Sequence, residues 1–231
     1  MKKLYEYLLN NYRLNEPIFL SEIQIEGMSQ VNLRQQIKKL TDVGKVKRFD
    51  NGIYFLPGKS TFKFGSQLSL EKVLESKYLM DKDKRCGYIS GLMFFNQMGL
   101  TTQVPMQYEV VSNKATNEYR ETSLAKTRLI VRKPRVMVSE SNYKILQFLD
   151  LVKDVDVYSE LVGKQLQNRL YKYMKDSNLR ISEMESYFSY YPDKLYKNLV
   201  ETKVIYYDIL TQQKNRWKYS FIHHLISYFH C

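Results

Sequence analysis

The segment spanning residues 18–57 constrains this chain most, because it sets an apolar helical stripe directly before a tight hairpin. Leu33, Ile37 and Leu40 recur at i, i+4 and i+7, the spacing of one helix face. Ser29 stands just ahead of that stripe, where its hydroxyl can accept an unpaired N–H of the first turn. Gly44 stops the helix, and residues 45–49 and 53–56 are β-prone runs around Asp50-Asn51-Gly52, a hairpin signal. Upstream, Leu20, Ile23 and Ile25 supply the apolar face of a short helix and Glu26-Gly27-Met28 a turn. Residues 1–12 carry a first helical stripe of Leu4, Tyr5, Leu8 and Leu9.

Helix, short helix, turn, helix and basic hairpin, in that order over residues 1–60, read as a winged helix-turn-helix domain. The face opposite the Leu33–Ile37–Leu40 stripe presents Val31, Arg34, Gln35, Lys38 and Lys39. A helix with that face suits the major groove, where arginine pairs with guanine and glutamine with adenine. Lys45, Lys47 and Arg48 flank the hairpin and are placed to meet phosphates. These eight residues are the expected DNA contacts. The same order also describes a structural or protein-binding winged helix whose charged face is merely solvated.

Charge favours the first alternative. The 231 residues carry a net charge of +12. Residues 1–60 hold 10 basic and 6 acidic side chains, residues 61–135 hold 13 and 7, and residues 136–231 hold 13 and 11. The basic excess thus lies in the first 135 residues, the balance expected of a chain that meets a polyanion. Two cysteines, Cys86 and Cys231, make no disulfide framework. No signal-peptide core and no apolar run of about 18 residues is present, so a cytoplasmic protein without membrane contact is expected.

Beyond the hairpin, residues 58–65 read as a connector and residues 61–231 as a second, mixed α/β domain, helical after about residue 143. Helical patterns cover residues 68–79, 87–98, 143–151, 161–174, 183–188 and 194–201. Residues 107–112, 129–131 and 135–138 read as strands, and residues 204–210 as a closing strand. The expected class is α+β.

No constellation points to catalysis. Pro57-Gly58-Lys59-Ser60 ends like a phosphate-binding loop, but Ile53 stands where its first glycine belongs. Gly87-Tyr88-Ile89-Ser90-Gly91 has its serine one place away from a nucleophile elbow. His223, His224, His230 and Cys231 match no zinc spacing. Asp81 and Asp83, and Asp150, Asp154 and Asp156, read as solvated carboxylates in charge-rich loops or at helix ends. No enzyme, cofactor or metal is expected.

Lys126-Thr127-Arg128 and Arg132-Lys133-Pro134-Arg135 place five basic residues, Lys126, Arg128, Arg132, Lys133 and Arg135, within ten positions. On a strand, Arg128, Ile130 and Arg132 share a face. That face would extend a phosphate surface from the wing, meet an acidic partner or an RNA backbone, or simply be solvated.

Several motifs in order carry a resemblance: the opening winged helix, Gly52-Ile53-Tyr54-x-x-Pro57 closing the wing, Gly87-x-Ile89-x-Gly91, Gly99-Leu100-Thr101-Thr102-Gln103-Val104-Pro105, and the turn at residues 113–117 before a basic strand. Over residues 1–150 the chain resembles the AbiEi-type antitoxins of bacterial abortive-infection (type IV toxin–antitoxin) systems. The resemblance implies an N-terminal domain that represses its own operon at inverted repeats in double-stranded DNA. It also implies a second domain that counters a nucleotidyltransferase-like toxin. A plain transcriptional regulator whose second domain senses a ligand or dimerises is the alternative, and an RNA-contacting enzyme accessory a third.

Overall fold

The computed structural model describes residues 2–59 and 66–209. The chain opens with helix α1 (Lys2–Asn11), strand β1 (Ile18–Phe19), a 3₁₀ turn (Leu20–Glu22), helix α2 (Gln30–Asp42) and the hairpin β2 (Lys47–Asp50) and β3 (Ile53–Phe55). The Ser29 hydroxyl accepts the Asn32 N–H at 3.3 Å, as its position before the stripe predicts. Gly44 takes a left-handed φ of +72°, and the N–H of Lys45 closes back on the Leu40 carbonyl at 3.0 Å. A β-carbon at that φ is strained, so glycine ends the helix cheaply here.

The short helix expected from Leu20, Ile23 and Ile25 contracts to the single 3₁₀ turn. Strand pairing explains the difference. Ile18 and Phe19 pair antiparallel with Tyr54 and Ile53, and the Leu20 N–H donates to the Gly52 carbonyl at 2.9 Å. Those bonds hold the chain extended up to the turn, and Ile23 after it is extended too, while Leu20 and Ile23 still bury. The sheet has the order β1-β3-β2. Behind it, Leu4, Leu8, Ile18, Leu20, Ile23, Leu33, Ile37, Leu40, Val46 and Leu56 form one apolar cluster. Leu9, by contrast, is exposed.

The remainder is α+β. Helix α3 (Leu70–Leu74) widens into a π turn (Glu75–Leu79), followed by the small hairpin β4 (Met80–Asp81) and β5 (Lys84–Arg85). Strand β6 (Gly87–Ser90) leads into helix α4 (Gly91–Gln97). Strands β7 (Gln107–Ser112), β8 (Tyr119–Leu124) and β9 (Thr127–Arg132) complete a four-stranded sheet of order β6-β7-β9-β8. Strands β7 and β9 run parallel, and the other neighbours are antiparallel. Helices α5 (Tyr143–Lys153), α6 (Val155–Tyr158), α7 (Gly163–Asp176), α8 (Ile181–Phe188) and α9 (Lys194–Glu201) then pack on one another. The helical character after residue 143 is as the sequence predicts.

Three expectations change. Residues 87–98 are a strand and then a helix, because Gly87 is wedged between backbone carbonyls: an added Cβ would lie 2.5 Å from that of Tyr78 and 2.6 Å from that of Val111. Residues 135–138 form no strand. The Asn113 side chain stands in for a neighbouring strand, accepting the Val138 N–H at 2.9 Å and donating to the Val138 carbonyl at 2.8 Å. The stretch from Val204 is a 3₁₀ turn (Val204–Tyr206) behind a left-handed Lys203, φ +61°, and Leu210 lies outside the described residues.

The two units share a core. Phe19, Ile53 and Phe55 of the N-terminal sheet pack in one cluster with Val73, Leu74 and Tyr78, and with Val110, Leu124, Leu129 and Val131 from the larger sheet. Polar bonds reinforce the seam. The Lys47 ammonium donates to the Ser66 carbonyl at 3.2 Å, and the Ser66 hydroxyl and the Gly58 N–H both donate to the Asn15 side-chain oxygen. On its other face the larger sheet presents Tyr88 and Val111 to Val138 and Leu146. Among the described residues no helix is long and apolar enough to cross a membrane.

Candidate nucleic-acid interface

Helix α2 has two polar rows beside its buried stripe. Arg34 and Lys38 lie one turn apart on the row that faces the hairpin. Together with Gln30, Ser21, Asn51 and Arg48 they line a concavity of about 1120 Å³ between α2 and the hairpin. Val31, Gln35 and Lys39 are exposed on the outer row of α2 and do not line this concavity. The Arg48 guanidinium is oriented by its own turn, donating to the Asp50 carbonyl and to the Asn51 side chain, each at 3.2 Å.

The eight expected contacts thus divide. Arg34, Lys38 and Arg48 converge, and Val31, Gln35 and Lys39 lie beside them. The other two turn elsewhere. Lys45 lies over the Tyr5 ring, 4.7 Å from its centroid, and Lys47 is drawn into the seam by Ser66. One cation at the concavity had no signal in the sequence. Lys77, from the π turn, lines the same space. It sits on the polar side of a visible stripe (Leu70, Val73, Leu74, Tyr78), but nothing in the pattern ties that stripe to the hairpin.

The hairpin tip is docked. The Asp50 carboxylate accepts the Ala125 N–H at 2.9 Å and the Asn51 N–H at 2.7 Å. The Ala125 bond is the main cause that lowers the Asp50 pKa from its ordinary value; burial opposes it, and Asn51, Lys77 and Arg48 add to the lowering. Ala125 and Lys126 are the two central residues of the β8–β9 turn. That places Lys126 next to the wing.

The five basic residues of the β9 region consequently do different things. Lys126 and Arg128 are exposed. Arg132 turns inward and pairs with Glu109, while its guanidinium is 3.9 Å from Asp150. Lys133 is 3.8 Å from exposed Glu118. Arg135 donates to the Tyr190 carbonyl at 3.2 Å and lies 5.2 Å from the Tyr191 ring centroid. Arg128, Ile130 and Arg132 do share a face of β9, but Ile130 is buried and Arg132 is largely covered.

That inward cluster is a second polar feature, which sequence reading treated as solvated carboxylates. Asp150 is buried at the foot of α5 and accepts the Tyr88 hydroxyl at 2.8 Å. Burial raises its pKa, opposed by Arg132, Lys153, Tyr88 and Arg135. Burial raises Glu109 as well, against the pull of Arg132. Burial beside Asp150 pushes the Tyr88 phenol well up. Gly91 is required here: its φ is +59°, and a Cβ would lie 2.6 Å from a Glu109 carboxylate oxygen. Tyr88, Arg132, Arg135 and Asp150 line a cavity of about 150 Å³. Arg132 and Tyr88 both reach Asp150 there, while the buried Arg132 Nε has no hydrogen-bond partner. Among the described residues no group of three or more His, Cys, Asp or Glu side chains could hold a metal.

No protein-family model and no curated protein matches this chain.

Proposed function

We propose that this protein is a DNA-binding regulator, built on a winged helix-turn-helix in which a 3₁₀ turn replaces the second helix. It acts at the promoter of its own operon. The observation that carries the reading is the convergence of Arg34, Lys38 and Arg48 on one concavity between helix and hairpin. Val31, Gln35 and Lys39 stand exposed alongside, the geometry in which a helix reads base edges and a wing touches backbone. A nuclease footprinting titration over the promoter tests it. Protection of a discrete site, with weaker binding to a scrambled duplex, is the expected result; equal affinity for both sinks the proposal.

An antitoxin role against a nucleotidyltransferase-like toxin joins the proposal through the family resemblance alone. Co-expression with the neighbouring toxin gene tests it, and rescue of growth is expected. The cavity lined by Tyr88, Arg132, Arg135 and Asp150 favours a second reading, in which the larger unit senses a small polar ligand and the chain is a plain regulator. Failure to rescue growth, with promoter binding intact, selects that reading.

A further inference from the structure

We infer that Lys77 and Lys126, both in the larger unit, bind phosphates of the same duplex that α2 and the hairpin engage. This rests on the DNA-binding reading above and extends it: the DNA surface is shared by the two units rather than confined to residues 1–60.

Three observations carry it. First, Lys77 lines the concavity that holds Arg34, Lys38 and Arg48, although 29 residues separate it from Arg48 in sequence. The π turn places it there. Tyr78 and Leu79 of that turn are buried, and Lys77, its ammonium 5.4 Å from the Tyr78 ring centroid, lines the concavity. Second, the β8–β9 turn is fixed against the wing tip by the Ala125–Asp50 bond, so exposed Lys126 is held beside the hairpin. The turn itself suits other residues better. Ala125 and Lys126 both take left-handed φ values, +48° and +69°, which favour asparagine and glycine in a two-residue hairpin loop. A lysine there puts a cation at the wing at the expense of the turn.

Third, these cations have no carboxylate partner. Among the described residues, none of Arg34, Lys38, Arg48, Lys77 or Lys126 forms an ion pair within 4.0 Å, whereas Arg132 and Lys133 from the same basic run are paired with Glu109 and Glu118. One acid, Asp42, lines the concavity with them, and the Asp50 carboxylate beside it is occupied by two backbone N–H groups. Cations without carboxylate partners match a polyanion, and each phosphate contact releases condensed counterions.

The test is a salt titration of full-length protein on a 30-base-pair mixed-sequence duplex, comparing wild type with Lys77→Ala, Lys126→Ala, Arg34→Ala and Lys172→Ala. Lys172 is an exposed lysine of α7, in the helical cluster, and controls for net charge. Circular dichroism confirms folding, and Lys77→Gln repeats the test with a longer neutral side chain. The slope of log K against log salt is expected to fall by about 0.9 for each of Lys77→Ala and Lys126→Ala and to stay unchanged for Lys172→Ala. Slopes unchanged for both second-unit variants, while Arg34→Ala weakens binding, overturn the inference and leave the DNA-binding reading standing. Equal losses for Lys77, Lys126 and Lys172 overturn it as a net-charge effect. Absence of salt-dependent binding by wild type overturns both.

Discussion

The Asp50 carboxylate accepts the Ala125 backbone N–H at 2.9 Å, which fastens the tip of the N-terminal hairpin to the turn between β8 and β9. The contact spans 75 residues of sequence and ties the hairpin to the larger sheet. Asp50→Ala is therefore expected to free the wing. A partly solvated hydrogen bond to a charged group is worth about 1 kcal/mol here, after allowance for solvent screening. Because the folded pKa of Asp50 is lowered, this stability is present above the ordinary carboxylate range and disappears as pH falls through the folded value. Urea unfolding of wild type and variant at neutral pH and near pH 3 checks it; a difference that persists undiminished in acid refutes the assignment.

Arg34 and Lys38 share a row of α2, yet base reading and phosphate binding leave different signatures. Arg34→Ala is expected to cost about 1–3 kcal/mol on the preferred site and to relax preference at one base pair. Affinity for scrambled DNA should change less. Competition binding against single-base variants of the footprinted site measures this. A uniform loss across all of them would make Arg34 a phosphate contact.

The apolar seam makes the two units mechanically one. Phe55 is 4% exposed and packs among residues from both sheets. Phe55→Ala is expected to destabilise the whole chain by about 3–5 kcal/mol, in a single unfolding transition. A chain of residues 61–231 lacks Phe19, Ile53 and Phe55, so Val73, Leu74 and Leu129 lose their cover. It should bind a hydrophobic dye and unfold at lower urea than the full-length protein. Two separate transitions in wild type, or a fragment as stable as the parent, would show that the seam contributes little.

The amphipathic helices were legible in the sequence because burial of one face leaves a period. The Leu33–Ile37–Leu40 stripe, the Ser29 cap and the Asp50-Asn51-Gly52 hairpin all stand where the pattern puts them. Strand β8 was not legible: its Tyr119-Arg120-Glu121-Thr122-Ser123-Leu124 run is polar, as befits the sheet edge, and only Leu124 is buried. The short helix failed for a different reason. Leu20 and Ile23 bury as expected, but backbone pairing of Ile18 with Tyr54 and Phe19 with Ile53, contacts distant in sequence, overrides local preference. At the site, Arg34, Lys38 and Arg48 could be found from a helix face and a hairpin. Lys77 could not, because its place depends on how two units dock.

Asp150 supplies the last test. Its carboxyl is buried against Tyr88, with Arg132, Lys153 and Arg135 as nearby cations and Glu109 as the competing acid. Two effects oppose each other: removal from water disfavours the ion, and the cations favour it. Burial is the larger, so the folded pKa is raised. The sign follows directly. A carboxyl with a raised folded pKa contributes stability that is fully present below its unfolded value and lost as pH rises through the folded one. Asp150→Asn keeps an acceptor for the Tyr88 hydroxyl but cannot ionise. Wild type should therefore lose stability relative to the variant as pH climbs from about 4, near the ordinary carboxylate value, to neutrality. Paired urea titrations at several pH values give the difference directly, free of other titrating groups common to both proteins. If wild type instead gains on Asp150→Asn as pH rises, the attraction of Arg132 and Lys153 outweighs desolvation, and Asp150 is an ion held in place by its cations.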